Sequence, residues 1–396
     1  MSQSIIEKLL KGAEVEWKPI DEIFTLKNGY TPSKSVKEYW IGGTVPWFRM
    51  EDLRAGERIL KDSAQKVHIN GVKGKLFPKD SIIMSTSATV GEHALILTDF
   101  LCNQRFTNFS VRGKYKTLLD IKYVYYYFFV IDKKAQENTS ISSFPSVQMD
   151  KLKKWMFPIP PLSVQKEIVR ILDAFTSHTA ELTAELNQRK KQYNYYLNKL
   201  LTFSDDEVEW KSLGEMLKRT GGTSITAEKM KELNKANGAL KIFAGGRTFA
   251  FADFNDIPEK DINKYPSIIV KSRGNIEFDY YDKPFSHKKE FWSYHSENDN
   301  IDIKYIYYYV KNKEQYFQHI GNKMQMPQIS IRDTDIFLVP VPPISVQKEI
   351  VRKLDSFLTL ITSISEGLPR EIELRNKQFE YYREKLLDFP KPDLEN

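Results

Sequence analysis

The sequence predicts an α+β chain in which two pseudo-symmetric mixed α/β regions alternate with two copies of a long coiled-coil helix. Three observations predict it. Residues 158–173, P-I-P-P-L-S-V-Q-K-E-I-V-R-I-L-D, return as residues 340–355, P-V-P-P-I-S-V-Q-K-E-I-V-R-K-L-D, with thirteen of sixteen positions identical at an offset of 182. D-I-K-Y-V-Y-Y-Y (120–127) returns as D-I-K-Y-I-Y-Y-Y (302–309) at the same offset. Between these frames, short β-branched runs are bounded by Gly, Ser and Pro, the punctuation of mixed structure. The chain is a duplication whose frames repeat while its interiors diverge.

The elements follow in order. Residues 1–16 form an N-terminal segment related to the repeat: Lys8-Leu9-Leu10 echoes Lys199-Leu200-Leu201 and Lys385-Leu386-Leu387, and E-V-E-W-K at 14–18 recurs at 207–211. That order is circular, as a closed two-fold arrangement within one chain would require. The first variable region, residues 17–157, opens on the loop-like K-N-G-Y-T-P-S-K and continues through V-P-W-F-R-M-E-D-L. Its strand Ser81 to Thr86 is closed by the turn S-A-T-V-G, and Asn103-Gln104-Arg105-Phe106 leads into another strand. The central repeated helix occupies residues 158–203. The second variable region, residues 204–339, holds strands at 267–272 and 276–281 and loops carrying Gly245-Gly246-Arg247 and His287-Lys288-Lys289. The distal repeated helix spans residues 340–389, with a tail at 390–396. The central portions of the two variable regions do not align with each other.

In the first repeat Pro160-Pro161 stop the preceding strand, and Ser163 is placed to cap the helix. From there the chain steps by fours and threes through Ile168, Leu172, Phe175, Thr179, Leu182, Leu186, Arg189, Tyr193, Tyr196 and Leu200, a coiled-coil seam. At ~1.5 Å per residue, a helix over 163–201 is roughly 58 Å long. The stretch of matching length available to pair with it is the second copy, and an antiparallel pairing would put the variable regions at opposite ends. The second seam runs through Ile350, Leu354, Phe357, Ile361, Ile364 and Leu368, then steps four again to Ile372 and continues at Arg375, Phe379, Tyr382 and Leu386. Those four extra residues are a stutter, and Gly367 and Pro369 predict a break there. The first helix also carries a tandem tetrapeptide, Thr179-Ala180-Glu181-Leu182 and Thr183-Ala184-Glu185-Leu186, which reads as a length-setting spacer.

Composition sets the bounds. The 396 residues suffice for two or three domains, and a 41% hydrophobic content with 13% aromatics excludes a disordered chain. No apolar run approaches the ~20 residues of a membrane helix, and the N-terminus lacks a signal peptide's apolar centre. The single cysteine, Cys102, excludes an intramolecular disulfide and a thiolate metal cluster. A cytoplasmic protein without a membrane partner is expected. Lysine and arginine exceed the acids by 59 to 52, which favours a polyanionic partner.

The paired helices, the R-K-K-Q-Y-N-Y-Y block, the G-L-P-R-E-I-E-L-R segment and the T-A-E-L tandem resemble the DNA-specificity subunit of type I restriction-modification enzymes, most closely the IC-type families. The resemblance implies two target-recognition domains joined by two long antiparallel helices, each domain reading one half of an asymmetric bipartite site in double-stranded DNA. It implies docking of two modification (methyltransferase) subunits, which bind S-adenosylmethionine and methylate adenine, and of restriction (motor-nuclease) subunits. This chain then binds no cofactor of its own and does no chemistry. The rival reading is a structural coiled-coil adaptor with only weak, non-specific contact to DNA.

The motifs of catalysis point the same way. The Pro-Pro pairs are flanked by apolar residues on both sides, unlike an adenine methyltransferase motif, and F-A-G-G-R at 243–247 reads as a turn. No Walker loop is present, and six scattered histidines show no metal-ligand spacing; His178 falls on the coiled-coil helix. The tyrosine runs at 125–127 and 307–309 read chiefly as packing residues. Candidate DNA contacts are the loop cations and amides suited to phosphates, guanine and adenine edges. In the first region they are Lys34, Arg49, Ser85, Thr86, Gln104, Arg105 and Ser143; in the second, Arg247, Lys271, Arg273, Asn275, Lys288, Asn322, Lys323 and Gln325. Polar loops at 142–146 and 322–328 occupy equivalent places before the last strand of each region.

Overall fold

The computed structural model describes residues 3–56, 58–139, 145–246, 248–322, 326–363 and 367–391. The chain divides into two compact units, Met1–Glu181 with Ile372–Asn396, and Leu182–Glu371. Both chain termini therefore belong to the first unit. The short helix Ile5–Leu10, held by a Ser4–Glu7 capping box, buries Ile6 and Leu10 in the same core as Leu386, Leu387 and Phe389.

In the first unit a five-stranded sheet runs in the order Phe24–Asn28, Phe106–Val111, Ser81–Ser85, His93–Ile96, Ile59–Leu60. A three-stranded sheet places Val45–Phe48 between Lys66–Val67 and Leu101–Cys102, parallel to the latter. The second unit repeats this plan. Its larger sheet runs Lys218–Gly221, Trp292–His295, Ser267–Lys271, Glu277–Tyr281, and its smaller sheet sets Leu240–Phe243 between Phe249–Ala252 and Phe285–His287, again parallel to the last. The interiors thus correspond strand for strand, except that the edge strand Ile59–Leu60 has no counterpart among the described residues of the second unit. S-I-I-M-S at 81–85 matches S-I-I-V-K at 267–271 at an offset of 186, not 182. Both are central strands buried on both faces, which is why each is a continuous apolar run rather than an alternating one.

The repeated frames are explained by one hydrogen-bond network made twice. Gln165 is fully buried at the start of the long helix Leu162–Leu200. Its Oε1 accepts the Asp120 N–H (2.8 Å), and its Nε2 donates to the carbonyls of Leu118 (2.8 Å) and Pro160 (2.7 Å). Asp120 caps the helix Ile121–Glu137, Lys122 pairs with Asp173 at 2.6 Å, Tyr126 donates to Asp173 at 2.7 Å, and Tyr123 donates to the Pro158 carbonyl at 3.0 Å. In the second unit Gln347 joins Asp302, Asn300 and Pro342, Lys304 pairs with Asp355 at 2.7 Å, Tyr308 donates to Asp355, and Tyr305 donates to the Pro340 carbonyl at 2.9 Å. Every polar residue common to D-I-K-Y-x-Y-Y-Y and the S-V-Q…L-D frame that these bonds use is buried or half-buried, so the duplicated letters are the scaffold. The E-W-K segments complete it: Glu16–Pro19 pairs antiparallel with Met156–Ile159, and Glu209–Ser212 with Leu338–Val341.

The first long helix is continuous over 39 residues, from Leu162 rather than from a Ser163 cap. The carbonyl of Pro161 receives the first helical N–H groups, from Val164 and Gln165, so Ser163 lies inside the first turn. All ten seam residues are buried or half-buried, including Ile168, Leu172, Phe175, Leu182 and Leu186, while Ala180, Glu181, Thr183, Ala184 and Glu185 are exposed. Phe175 stacks on Tyr382 (5.2 Å) in the first unit, and Tyr196 on Phe357 (5.3 Å) in the second. Partner numbers fall as the first helix advances, and each repeat lends the phenylalanine to one pair and the tyrosine to the other. The helices are antiparallel. In the distal seam Ile350, Leu354, Phe357 and Ile361 are buried or half-buried; Ile364 lies outside the described residues. That second helix is two helices, Ile344–Thr362 and Leu368–Leu386. A Cβ on Gly367 would press against the carbonyls of Thr359 and Leu360 at 2.9 and 2.8 Å, so only glycine fits this close approach. Pro369 sits in the first turn of the following helix, where its missing N–H is harmless.

Candidate nucleic-acid interface

Four of the candidate residues from the first region, Lys34, Arg49, Gln104 and Arg105, line one open cleft of about 870 Å³. Strand Val45–Phe48 delivers Arg49 to it. Asp52 fixes that delivery by accepting the Arg49 N–H at 2.7 Å and the Ala64 N–H at 2.8 Å. The Arg49 guanidinium lies 5.7 Å from the Trp47 ring, and its buried Nε has no hydrogen-bond partner among the described residues. Trp47 donates to the Tyr30 carbonyl (3.0 Å) and meets Trp40 edge to face at 5.0 Å; Trp40 donates to the Ser33 carbonyl (3.1 Å). This aromatic pair pins the 30–34 loop, so exposed Lys34 and Lys37 are presented on a stiff wall. On the opposite strand connection Asn103 accepts the Arg105 N–H (3.0 Å), and Thr31 donates to Gln104 Oε1 (2.5 Å). The lining holds four cations, Lys34, Lys37, Arg49 and Arg105, against one carboxylate, Glu51. Such a wall attracts a polyanion and offers Arg and Gln for base edges.

In the second unit the candidates are dispersed. Arg273 donates to Gln328 Oε1 at 3.3 Å, Asn275 bonds Glu277, Lys288 pairs with Glu290 at 2.9 Å, and Asn322 is exposed just after the helix Glu314–Gly321. Three candidates are corrected. Ser85 is fully buried, donating to the Thr89 carbonyl and accepting the Glu92 N–H (3.1 Å). Thr86 is buried against the Thr107 hydroxyl at 2.9 Å. Lys271 is 5% exposed and held by Asp279 (2.7 Å) and Glu277 (3.4 Å), so its charge is neutralised from within. All three sit at or beside the end of a central strand, where an unpaired polar group is costly and internal partners are found instead. Ser143, Arg247, Lys323, Gln325 and most of the 142–146 loop lie outside the described residues, as do residues 323–325 of the 322–328 loop.

The tyrosine runs are packing residues. Tyr125, Tyr126 and Tyr127 are buried, and burial pushes the Tyr125 phenol up to about 12. Tyr308 and Tyr309 are likewise buried, and Tyr307 packs on Tyr280 at 5.7 Å. His178 is exposed on the long helix. Among the described residues no group of three or more His, Cys, Asp or Glu is placed to hold a metal, and no helix is long and apolar enough to cross a membrane. Sequence reasoning missed Thr31, Lys37, Trp40 and Trp47. The lysines and tryptophans that follow the Gly-Tyr-Thr-Pro breaker were the available signal for Lys37, Trp40 and Trp47; nothing in the sequence marked Thr31.

Comparison with known proteins bears on the chain as a whole. A family profile described as the type I restriction modification DNA specificity domain matches residues 13–191 and again 205–374. The EcoprrI specificity subunit of Escherichia coli is 40% identical over 387 residues, covering 92% of each chain. The EcoR124I/EcoR124II specificity subunit of the same species is 34% identical over 432 residues, covering 98% of each. The crystal structure of a type I restriction-modification S subunit from M. genitalium shares the fold at a TM-score of 0.54 and 17% identity, over 96% of this chain and 97% of that one.

Proposed function

Because the chain belongs to the family of type I restriction-modification DNA-specificity subunits, we propose that each of its two units reads one half of an asymmetric bipartite site in double-stranded DNA. The observation that carries this reading is the doubled topology with unlike surfaces. One strand plan is built twice, yet where the cleft of the first unit has Arg49, Gln104 and Arg105 the second unit has Ala244, Lys289 and Glu290. Equal scaffolds with equal surfaces would read a palindrome; equal scaffolds with unlike surfaces read two different sequences.

In this reading the helices are ruler and dock. The division between the compact units falls between Glu181 and Leu182, inside the T-A-E-L tandem, where added residues lengthen the rod without touching either core. Lys166, Glu167 and Arg170 recur as Lys348, Glu349 and Arg352, exposed or half-buried in both copies and outside the buried network. Packing does not account for that identity; two copies of one partner meeting the same patch do. The partner is the modification subunit, which brings S-adenosylmethionine and methylates adenine, with motor-nuclease subunits joining for cleavage. This chain supplies sequence choice and no catalytic group.

The test is binding of the assembled complex to cognate and random duplexes at physiological salt. A specificity ratio of about 10³ or more is expected. Equal affinity for both duplexes would overturn the proposal in favour of an adaptor.

A further inference from the structure

The two units contain one turn that is the same in backbone and different in chemistry. In the first unit the turn is Asn103-Gln104-Arg105-Phe106, closed by Phe106 N–H donating to the Asn103 carbonyl at 3.1 Å. In the second it is Lys288-Lys289-Glu290-Phe291, closed by Phe291 N–H donating to the Lys288 carbonyl at 3.0 Å. Each turn follows the strand that pairs parallel in the smaller sheet and precedes the second strand of the larger one. Its first residue donates to the end of the central small-sheet strand: Asn103 to the Phe48 carbonyl (3.1 Å), Lys288 to the Phe243 carbonyl (3.0 Å). Its third carbonyl is held by the residue just beyond the buried central strand: Arg105 by the Thr86 N–H (2.9 Å), Glu290 by the Ser272 hydroxyl (2.8 Å). A glycine lies against each turn, Gly29 or Gly222, where any Cβ would overlap the carbonyls of the turn or of the residue before it.

Main-chain groups of the turn thus fix this backbone twice. Of the tip side chains, Gln104 accepts from Thr31 (2.5 Å) and Glu290 pairs with Lys288 (2.9 Å), and neither contact holds the turn's backbone. Gln104 and Arg105, Lys289 and Glu290 are all exposed. An amide and a cation in one copy become a cation and a carboxylate in the other. A rigid platform whose exposed positions change chemistry is what reading two different sequences with one fold requires.

Resting on the family reading above, we infer that these tips are the equivalent base-reading elements of the two units, Gln104–Arg105 for one half-site and Lys289–Glu290 for the other. The chemistry assigns edges. A Gln amide matches the donor–acceptor edge of adenine and Arg that of guanine; Lys also donates to guanine, and a carboxylate accepts from cytosine N4. Glu290 in particular serves discrimination over affinity, since a carboxylate beside phosphates is repelled unless an amine faces it; Lys288 at 2.9 Å moderates that repulsion.

The test uses the full chain assembled with its modification subunit and maps methylated motifs for the wild type and three variants. Gln104→Ala with Arg105→Ala relaxes the bases of one half-site, with a tenfold or greater loss of methylation at the original motif and the other half unchanged. Lys289→Ala with Glu290→Ala does the converse. The milder Glu290→Gln, which keeps the turn's shape, relaxes the same half-site as the second double variant. Unchanged bases in both double variants, or equal loss at both half-sites, overturns the assignment. A wild-type complex with no bipartite motif overturns the family reading itself, and is distinguished because it needs no variant.

Discussion

Replacing Gln165 or Gln347 by leucine tests the duplicated network at its centre. Each glutamine is fully buried and makes three hydrogen bonds to backbone groups, one as acceptor and two as donor. Leucine fits the space but leaves the Asp120 or Asp302 N–H and two carbonyls unpaired. A stranded buried group costs about 1–3 kcal/mol, the carbonyls less because other neighbours take part of the load, and the added apolar contact returns roughly 1 kcal/mol. The net expectation is a loss of about 3 kcal/mol in either variant, on the order of a hundredfold in local opening. Hydrogen exchange resolved by peptide reads it directly. Gln165→Leu accelerates exchange in the helix Ile121–Glu137 and spares Ile303–Asn312; Gln347→Leu does the reverse by a similar factor. A change below about threefold in both variants would refute the claim that the repeated letters are held by this network.

Three further outcomes follow from the same geometry. Lys34→Ala with Lys37→Ala lowers the slope of log affinity against log salt by about 2, one unit for each phosphate no longer neutralised, and weakens binding to all sequences alike; an unchanged slope would remove those lysines from the interface. Burial holds the His287 imidazole below its ordinary value of 6.5, with Nδ1 donating to the Lys288 carbonyl and Nε2 accepting from Ser293. The unfolded chain then binds the extra proton first, so this contribution to stability is present above pH 6.5 and is lost as pH falls from there toward the lowered folded value. Urea titrations of the wild type and of His287→Gln, at pH 7.5 and 5.5, check it: the variant loses less on acidification. Inserting one more T-A-E-L after Leu186 adds ~6 Å of helix and lengthens the preferred gap between half-sites by about one to two base pairs, at ~3.4 Å per pair; a gap unchanged in motif mapping would exclude the ruler.

The frames were legible because they are packed identically twice. Gln165, Asp173 and Tyr123 have partners that recur at a fixed offset, so their letters could not drift apart. The break in the distal helix was likewise written in Gly367 and Pro369. The interiors were not legible as a pair. Their strands are two to six residues long, and what must be kept is a close backbone approach, such as that of Gly29 or Gly222, which leaves a single letter at a shifting offset. The offset between equivalent strands moves from 193 at Glu16 and Glu209 through 195 at Val45 and Leu240 and 186 at Ser81 and Ser267 to 182 at Met156 and Leu338 as loops change length, which hides the match. Lys34, Arg49, Gln104 and Arg105 could be chosen by chemistry, but only sheet pairing brings them to one cleft. Ser85, Thr86 and Lys271 were misread because a polar strand end looks like a loop until the internal partners are seen.

The central claim is that one duplicated fold reads two different sequences at a set distance. Mapping methylated adenines across a genome, in a host expressing this chain with its modification subunit, tests it most directly. The account predicts a single motif of two unlike half-sites separated by a fixed gap of unspecified bases. A palindromic motif, or methylation with no shared motif, would contradict it.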